Sequence, residues 1–66
     1  MSEHIEEVVT FHIQKYAEEY KVMKAEEDTN CNRTNLSIEI MGYIERIFSD
    51  QENRIKYMNM YYNLRS

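Results

Sequence analysis

Residues 44–58, IERIFSDQENRIKYM, decide the fold of this chain because they contain a polar patch, SDQE, between two apolar segments. Ser49 followed three residues later by Glu52 is the pattern of a capping box, which marks the start of a new helix. The helical phase indicates the opposite, since the apolar residues after the patch continue the stripe set before it. We therefore predict one long helix over residues 35–63, bent near Asp50, with a break into two helices as the alternative.

The rest of the chain also predicts helix, because it has no proline, one glycine and no hairpin dipeptide. We expect a first helix over residues 3–27 and a loop over 28–34, with Thr34 or Asn35 capping the next helix. Helical spacing places six apolar or aromatic residues on one stripe of the first helix: Ile5, Val9, His12, Tyr16, Tyr20 and Met23. The predicted fold is all-α, an antiparallel helical hairpin within a single domain, residues 1–66.

The size of the chain indicates self-association. A domain of 66 residues buries only about 60% of its unfolded surface, so its own core is marginal. The single cysteine cannot form an internal disulfide, and Cys31, His4 and His12 are too few and too scattered for a zinc site. We expect no cofactor or metal, and we predict a homodimer in which two hairpins form a four-helix bundle.

The last dozen residues are unusually apolar for a terminus. In a helix, Ile55, Met58 and Tyr62 form one apolar group. A second apolar group lies beside it and consists of Tyr57, Met60, Tyr61 and Leu64. We expect one group to pack on the first helix and the other to meet a partner, with the second group favoured for the partner. The predicted partner or dimer interface consists of Tyr57, Met58, Met60, Tyr61, Tyr62 and Leu64.

Charge favours a protein partner over a nucleic acid. The net charge is −4, and only three bases follow Glu52, which is a weak electrostatic footprint for phosphates. Most acids lie in the first half of the chain, where they form a possible acidic face able to imitate DNA toward a DNA-binding regulator. The residues of this possible face are Glu3, Glu6, Glu7, Glu18 and Glu19.

The chain offers few candidates for chemistry. His12 lies on the apolar stripe of the first helix, where a histidine packed between helices is expected rather than a ligand. Cys31 lies in the predicted loop and is interpreted as an incidental thiol. No apolar run approaches the length of a membrane helix and no signal-peptide pattern is present, so we expect a cytoplasmic protein without membrane contact.

Residues 36–41, LSIEIM, resemble the Leu-Ser-Gln-Glu-Leu-Asp signature of the small helical-hairpin aspartyl-phosphate phosphatases of sporulating bacteria. The resemblance covers six residues and implies a helical hairpin. Met41 stands where that family has its key aspartate, and Ile38 stands where it has glutamine. These departures remove the catalytic carboxylate, so the resemblance does not carry the activity to this chain.

Taken together, these features predict a small acidic regulatory protein rather than an enzyme. It is expected to act through protein–protein interaction, binding and inhibiting a protein target, because a compact binder can block a site without any chemistry. The alternative is a small nucleic-acid-binding or transcription factor that uses its basic, aromatic C-terminal tail.

Overall fold

The computed structural model describes residues 2–27 and 30–66, with side chains over 4–27 and 31–66. Three helices account for nearly all of these residues: α1 (Ser2–Ala25), α2 (Asn30–Ile47) and α3 (Gln51–Arg65). No strand occurs in the described ranges, and all three helices pack against one another. The predicted all-α class is confirmed, whereas the predicted two-helix hairpin is corrected to a three-helix arrangement.

The first two helices run antiparallel. The His12 ring packs edge-on against the Tyr43 ring, with centroids 5.1 Å apart, and one turn later Tyr16 donates a hydrogen bond to Glu39 Oε1 at 3.1 Å. Burial, and the hydrogen bond to Glu39, raise the pKa of the Tyr16 hydroxyl above its ordinary value. His12 therefore lies at a helix–helix contact, as its place on the apolar stripe predicts.

Helix α3 turns back along α2 and so runs in the same direction as α1. Its first half meets the end of α2, where the Phe48 and Tyr57 rings stack with centroids 4.8 Å apart and planes 4° from parallel. Its second half meets the beginning of α2, where the Tyr61 and Ser37 hydroxyl oxygens lie 2.8 Å apart. The result is an up-down-up bundle 39 Å long.

The core lies along the axis where the three helices meet. In α1 the buried side is centred on Val9, Ile13 and Ala17, whereas Ile5 of the predicted stripe is 46% exposed. Two helices pack on α1 instead of one, which moves its buried side toward Ile13. The core cluster is Val9, Ile13, Ala17, Ile40, Ile44, Phe48, Tyr57 and Tyr61.

The chain breaks between α2 and α3, so the predicted continuous helix over 35–63 is wrong. Asp50 has extended backbone angles (φ −89°, ψ 138°) and caps α3. Its Oδ2 accepts a hydrogen bond from the Asn53 backbone N–H at 3.0 Å, and its Oδ1 accepts one from the Asn53 side chain at 3.2 Å. The alternative of a new helix is therefore the observed one, with the cap at Asp50 rather than at Ser49.

Arg54 supplies hydrogen-bond donors to the α2 side of the break. Its Nε donates to the Phe48 carbonyl at 2.7 Å, and its Nη2 donates to the Glu45 carbonyl at 3.0 Å. The last carbonyls of a helix have no partner within the helix and need an outside donor. One side chain of α3 thus completes the end of α2.

The connection between α1 and α2 is shorter than the predicted loop over 28–34. Helix α2 already begins at Asn30, so Thr34 and Asn35 lie inside it and do not cap it; residues 28 and 29 lie outside the described ranges. Glu27 has a left-handed backbone (φ 58°), and its N–H donates to the Lys24 carbonyl at 3.2 Å. This is the geometry that ends many helices, here without the usual glycine.

Candidate interaction surfaces

The inner side of α3 belongs to the core. Tyr57 is 3% exposed and Tyr61 is fully buried. The sequence favours the group that contains these tyrosines for the partner contact, but this group packs within the chain. The predicted roles of the two apolar groups are therefore reversed. As partner contacts, Tyr57 and Tyr61 are corrected: α3 turns back and packs them against α1 and α2, which a continuous second helix could not do.

Two further members of the predicted interface flank these tyrosines. Met60 is partly buried and packs against the core cluster. Leu64 is half-exposed and lies beside a shallow groove of α1 lined by Ala17, Glu18 and Lys21. Both side chains thus add to the α1–α3 contact rather than to a separate face.

The outer side of α3 joins the outer side of α2 in a surface that we call the α2–α3 face. Ile38 is 62% exposed, Ile55 is 50% exposed and Tyr62 is 40% exposed. The Tyr62 hydroxyl lies 3.6 Å from Met41 Sδ, which fixes the ring across the two helices. Helical spacing and the antiparallel pairing place four apolar or aromatic residues on this face, namely Ile38, Met41, Ile55 and Tyr62, whereas Met58 at its edge is partly buried and packs against the core cluster.

A second exposed apolar surface, the α1 stripe, follows the solvent side of α1. Its members are Val8, Phe11, Lys15 and Val22, which helical spacing brings onto one side of the helix. Phe11 is 56% exposed, and the Lys15 ammonium lies 5.6 Å from the centre of its ring. The three apolar members are all exposed, so this side of α1 has no partner among the described residues.

The possible acidic face is discontinuous. Glu6, Glu7, Glu18 and Glu19 are all exposed, and the side chain of Glu3 lies outside the described part of the structure. Eleven residues separate Glu7 from Glu18, which is roughly 16 Å along a helix. The acids therefore form two separate pairs rather than one row.

Sequence reasoning missed a cleft between the beginning of α2 and the end of α3, which we call the Arg33–Arg65 cleft. Its volume is about 340 Å³. The Arg65 guanidinium carbon lies 4.5 Å from the ring centres of both Tyr20 and Tyr62, and its Nη1 donates to Ser37 Oγ at 3.0 Å. The cleft is lined by Tyr20, Arg33, Thr34, Ser37, Ile38, Met41, Tyr62 and Arg65.

Arg33 lines the opposite part of this cleft. Its guanidinium carbon lies 5.7 Å from the centre of the Tyr20 ring, and its Nε is buried without a hydrogen-bond partner. The sequence holds no spacing signal for this arrangement, since 32 positions separate the two arginines and only the third helix brings them together. The arginine in the predicted loop thus belongs to a structured site.

The described residues offer little else for chemistry. No group of three or more histidine, cysteine, aspartate or glutamate side chains in the described part of the chain is arranged to hold a metal ion. Cys31 is an exposed free thiol whose sulfur lies 3.9 Å from the Asn35 side-chain nitrogen. Within the described ranges, none of the helices combines the length and apolar character that a bilayer span requires.

Comparison with known proteins adds no relative. No family model, curated protein or solved structure matches this chain. The segment that resembles the aspartyl-phosphate phosphatases lies inside α2, where Ser37 and Ile40 are buried and Met41 contacts Tyr62. The function therefore has to be argued from the surfaces themselves.

Proposed function

We propose that this chain is a small helical interaction protein that regulates a protein target by covering part of its surface, without chemistry of its own. The observation that carries the proposal is the α2–α3 face, where Ile38 is 62% exposed and lies near the partly exposed ring of Tyr62, and Ile55 is 50% exposed two helical turns from that ring. Exposed apolar residues that adjoin one another are typical of interaction sites, whereas single ones are common on any surface.

The shape of this face suits a helical partner. Two antiparallel helices form a shallow apolar groove between them, and an amphipathic helix binds such grooves through residues spaced three and four apart. Methionine and tyrosine are enriched at interfaces because one adapts its shape and the other presents a large ring with a polar end.

The α1 stripe supports the homodimer. Val8 and Val22 each lie seven residues from Lys15, so the two ends of the stripe match when it is reversed, whereas Phe11 on one side of Lys15 corresponds to Glu18 and Glu19 on the other. When two α1 helices run antiparallel with Lys15 at the centre, Val8 of one copy lies opposite Val22 of the other. In this register the two Lys15 side chains face each other, and Glu18 and Glu19 of each copy lie about one turn away and offset that repulsion.

One pair of helices makes a small interface, below the size of most stable dimers. We therefore expect a reversible dimer that dissociates on dilution. In this arrangement α1 pairs with a second copy, and the α2–α3 face of each copy remains open for the target. The predicted four-helix bundle of two hairpins is replaced in this proposal by two three-helix units joined through α1.

Sedimentation equilibrium tests the dimer. Phe11→Glu places a charge in the middle of the α1 stripe and is expected to give monomer at concentrations where wild type dimerises. Gln14→Glu adds the same charge on the same helix but outside the stripe, and is expected to dimerise like wild type. Equal dissociation constants for Phe11→Glu and wild type would exclude this interface.

Target binding is tested with Ile55→Glu, which places a charge on the α2–α3 face. A protein captured from extracts of the native cell is identified, purified and titrated with wild type and variants. We expect Ile55→Glu to weaken that titration at least tenfold, while Asn63→Glu, on an exposed polar position on another side of the same helix, leaves it unchanged. Equal affinity of wild type and Ile55→Glu would show that the target uses another surface.

The alternative function, nucleic-acid binding through the basic tail, gains less support. Arg54 donates to two backbone carbonyls and Arg65 to Ser37. The bases of the tail therefore act largely within the chain, and they form a small basic surface on a protein of net charge −4. Retention on duplex or single-stranded DNA at low salt would favour this alternative, and it should then weaken as salt increases.

A further inference from the structure

We propose that the Arg33–Arg65 cleft binds an organic phosphate, that is, a phosphomonoester on a small apolar or aromatic group. This site shares Ile38, Met41 and Tyr62 with the α2–α3 face, but it goes beyond the proposed function because it concerns a small ligand held mainly by the two arginines.

The cleft concentrates positive charge in an acidic protein. Both guanidinium groups lie near one ring, Tyr20, at 5.7 Å and 4.5 Å. Their carbons are therefore within about 10 Å of each other, which is roughly the Debye length at 0.1 M salt. The described lining contains no acidic residue, although the chain has twelve. Two like charges at this distance repel each other, and an anion between them relieves that repulsion.

Arg33 has hydrogen-bonding capacity that the fold does not use. Its Nε is buried without an acceptor, and a buried donor without a partner is unfavourable. Within the described part of the chain, its guanidinium group lies over the face of the Tyr20 ring. Arg33 also lines the cleft, where its guanidinium group can donate to a phosphate oxygen, since guanidinium and phosphate geometries match.

Arg65 is already held in position for such a ligand. Tyr20 and Tyr62 each lie 4.5 Å from its guanidinium carbon, and Ser37 accepts one of its five N–H bonds. The side chain therefore loses little further freedom on binding, which lowers the entropic cost of holding an anion. The remaining N–H groups are available to a second acceptor.

The walls of the cleft favour an organic phosphate over a bare ion. The Thr34 hydroxyl adds a polar group near Arg33, whereas Ile38, Met41 and the partly exposed Tyr62 ring form an apolar wall. A volume of about 340 Å³ lies at the lower end of the range for small-molecule sites, roughly 300–1,000 Å³. The phosphate oxygens face the arginines, and the organic part lies against the apolar wall.

The test is a titration of ¹⁵N-labelled protein with phenyl phosphate, followed by NMR. We expect saturable shifts concentrated at Arg33, Thr34, Ser37 and Arg65, with tighter binding of phenyl phosphate than of inorganic phosphate. Arg33→Gln is expected to weaken binding of phenyl phosphate about tenfold or more, because it removes a charged donor. Arg46→Gln is the matched control, an exposed arginine of the same helix, and should bind like wild type.

The same phosphate chemistry has two sources, a free metabolite or a phosphorylated side chain of another protein. A short phosphotyrosine peptide forms the second arm of the titration. Tighter binding of the peptide than of phenyl phosphate assigns the site to a phosphorylated protein, and equal or weaker binding assigns it to a free organic phosphate. Either result supports the site.

Two results would overturn the proposal: shifts that spread over all basic residues without saturation, or equal affinity of wild type and Arg33→Gln. A thermal melt of Arg33→Gln shows whether the variant remains folded. If it does not, Arg33→Lys keeps the charge and is expected to bind more weakly than wild type but more tightly than the glutamine variant in any folded fraction. Ile55 does not line the cleft, so the target titration with Ile55→Glu is decided independently.

Discussion

The inner and outer sides of α3 carry the same kinds of residue and have different roles. Tyr61 lies on the inner side and is fully buried, whereas its neighbour Tyr62 lies on the outer side and is 40% exposed. The difference shows that composition alone does not reveal which apolar residues of a helix face the core. The direction in which the chain enters α3 after the break decides which side of that helix faces the core.

Three residues at the break set the direction in which the chain enters α3. Phe48, Ser49 and Asp50 interrupt the helix, so the phase carried forward from α2 no longer holds in α3. The continuous count placed Ile55, Met58 and Tyr62 on the packing side. The structure buries Tyr57 and Tyr61 there, keeps Met58 partly buried against the core and leaves Ile55 and Tyr62 exposed. A polar patch that can cap a new helix is therefore a stronger signal for a break than a continuous apolar stripe is for an unbroken helix.

The largest expected effect is a difference in the free energy of unfolding between variants of the two neighbouring tyrosines. Tyr61→Ala removes a buried ring and its hydroxyl contact with Ser37, and should lower the free energy of unfolding by about 3–5 kcal/mol. Tyr62→Ala, on the outer side, should lower it by about 1 kcal/mol or less. Urea unfolding followed by circular dichroism measures both, and equal losses would mean that the two sides are not distinct.

The break itself is tested through Arg54. Arg54→Met keeps the aliphatic part but removes both hydrogen bonds to the end of α2, and should lower the free energy of unfolding by about 1.5–3 kcal/mol. Arg46→Met is the control on an exposed position and should change it by about 0.5 kcal/mol or less. The same urea experiment applies, and a neutral Arg54→Met would show that the α2 carbonyls do not need this donor.

A smaller effect is expected from the hydroxyl of the inner tyrosine. Tyr61→Phe removes the contact with Ser37 Oγ, which keeps its bond from Arg65, so the loss should be about 1 kcal/mol. Tyr57→Phe is the control, a second buried tyrosine for which no hydroxyl contact with a described residue is observed, and should be close to neutral. Thermal unfolding of both variants distinguishes them; a neutral Tyr61→Phe would indicate that the hydroxyl contributes nothing.

The smallest effect concerns the pH dependence of the cap. The hydrogen bond from the Asn53 backbone holds the pKa of Asp50 below its ordinary value. The ionised cap therefore contributes stability above that ordinary value, and this contribution is lost as the pH falls through the folded pKa. Asp50→Asn keeps the capping geometry and should be less sensitive to acid than wild type between pH 5 and pH 2 (roughly the range over which carboxylates titrate). An unchanged acid profile would contradict this role.

The sequence predicts those features of the fold that depend on neighbours along the chain. The absence of proline and the spacing of Val9, Ile40 and Ile44 predict helices with the correct core positions, and the SDQE patch points to the break within one residue of the observed cap. Interactions that depend on the third helix are not predictable in this way. The burial of Tyr57 and the pairing of Arg33 with Arg65 across one cleft arise only after α3 has turned back.

The contact between the Phe48 and Tyr57 rings tests the account most directly. In the bundle their centroids are 4.8 Å apart, whereas nine residues of continuous helix would separate the two positions by about 13 Å along the axis. Nuclear Overhauser spectra, recorded at a dilution where sedimentation shows only monomer, should contain strong cross-peaks between these rings. Their absence, together with uninterrupted helical cross-peaks through Ser49 and Asp50, would show a single long helix and contradict the division of α3 into a core side and a partner side.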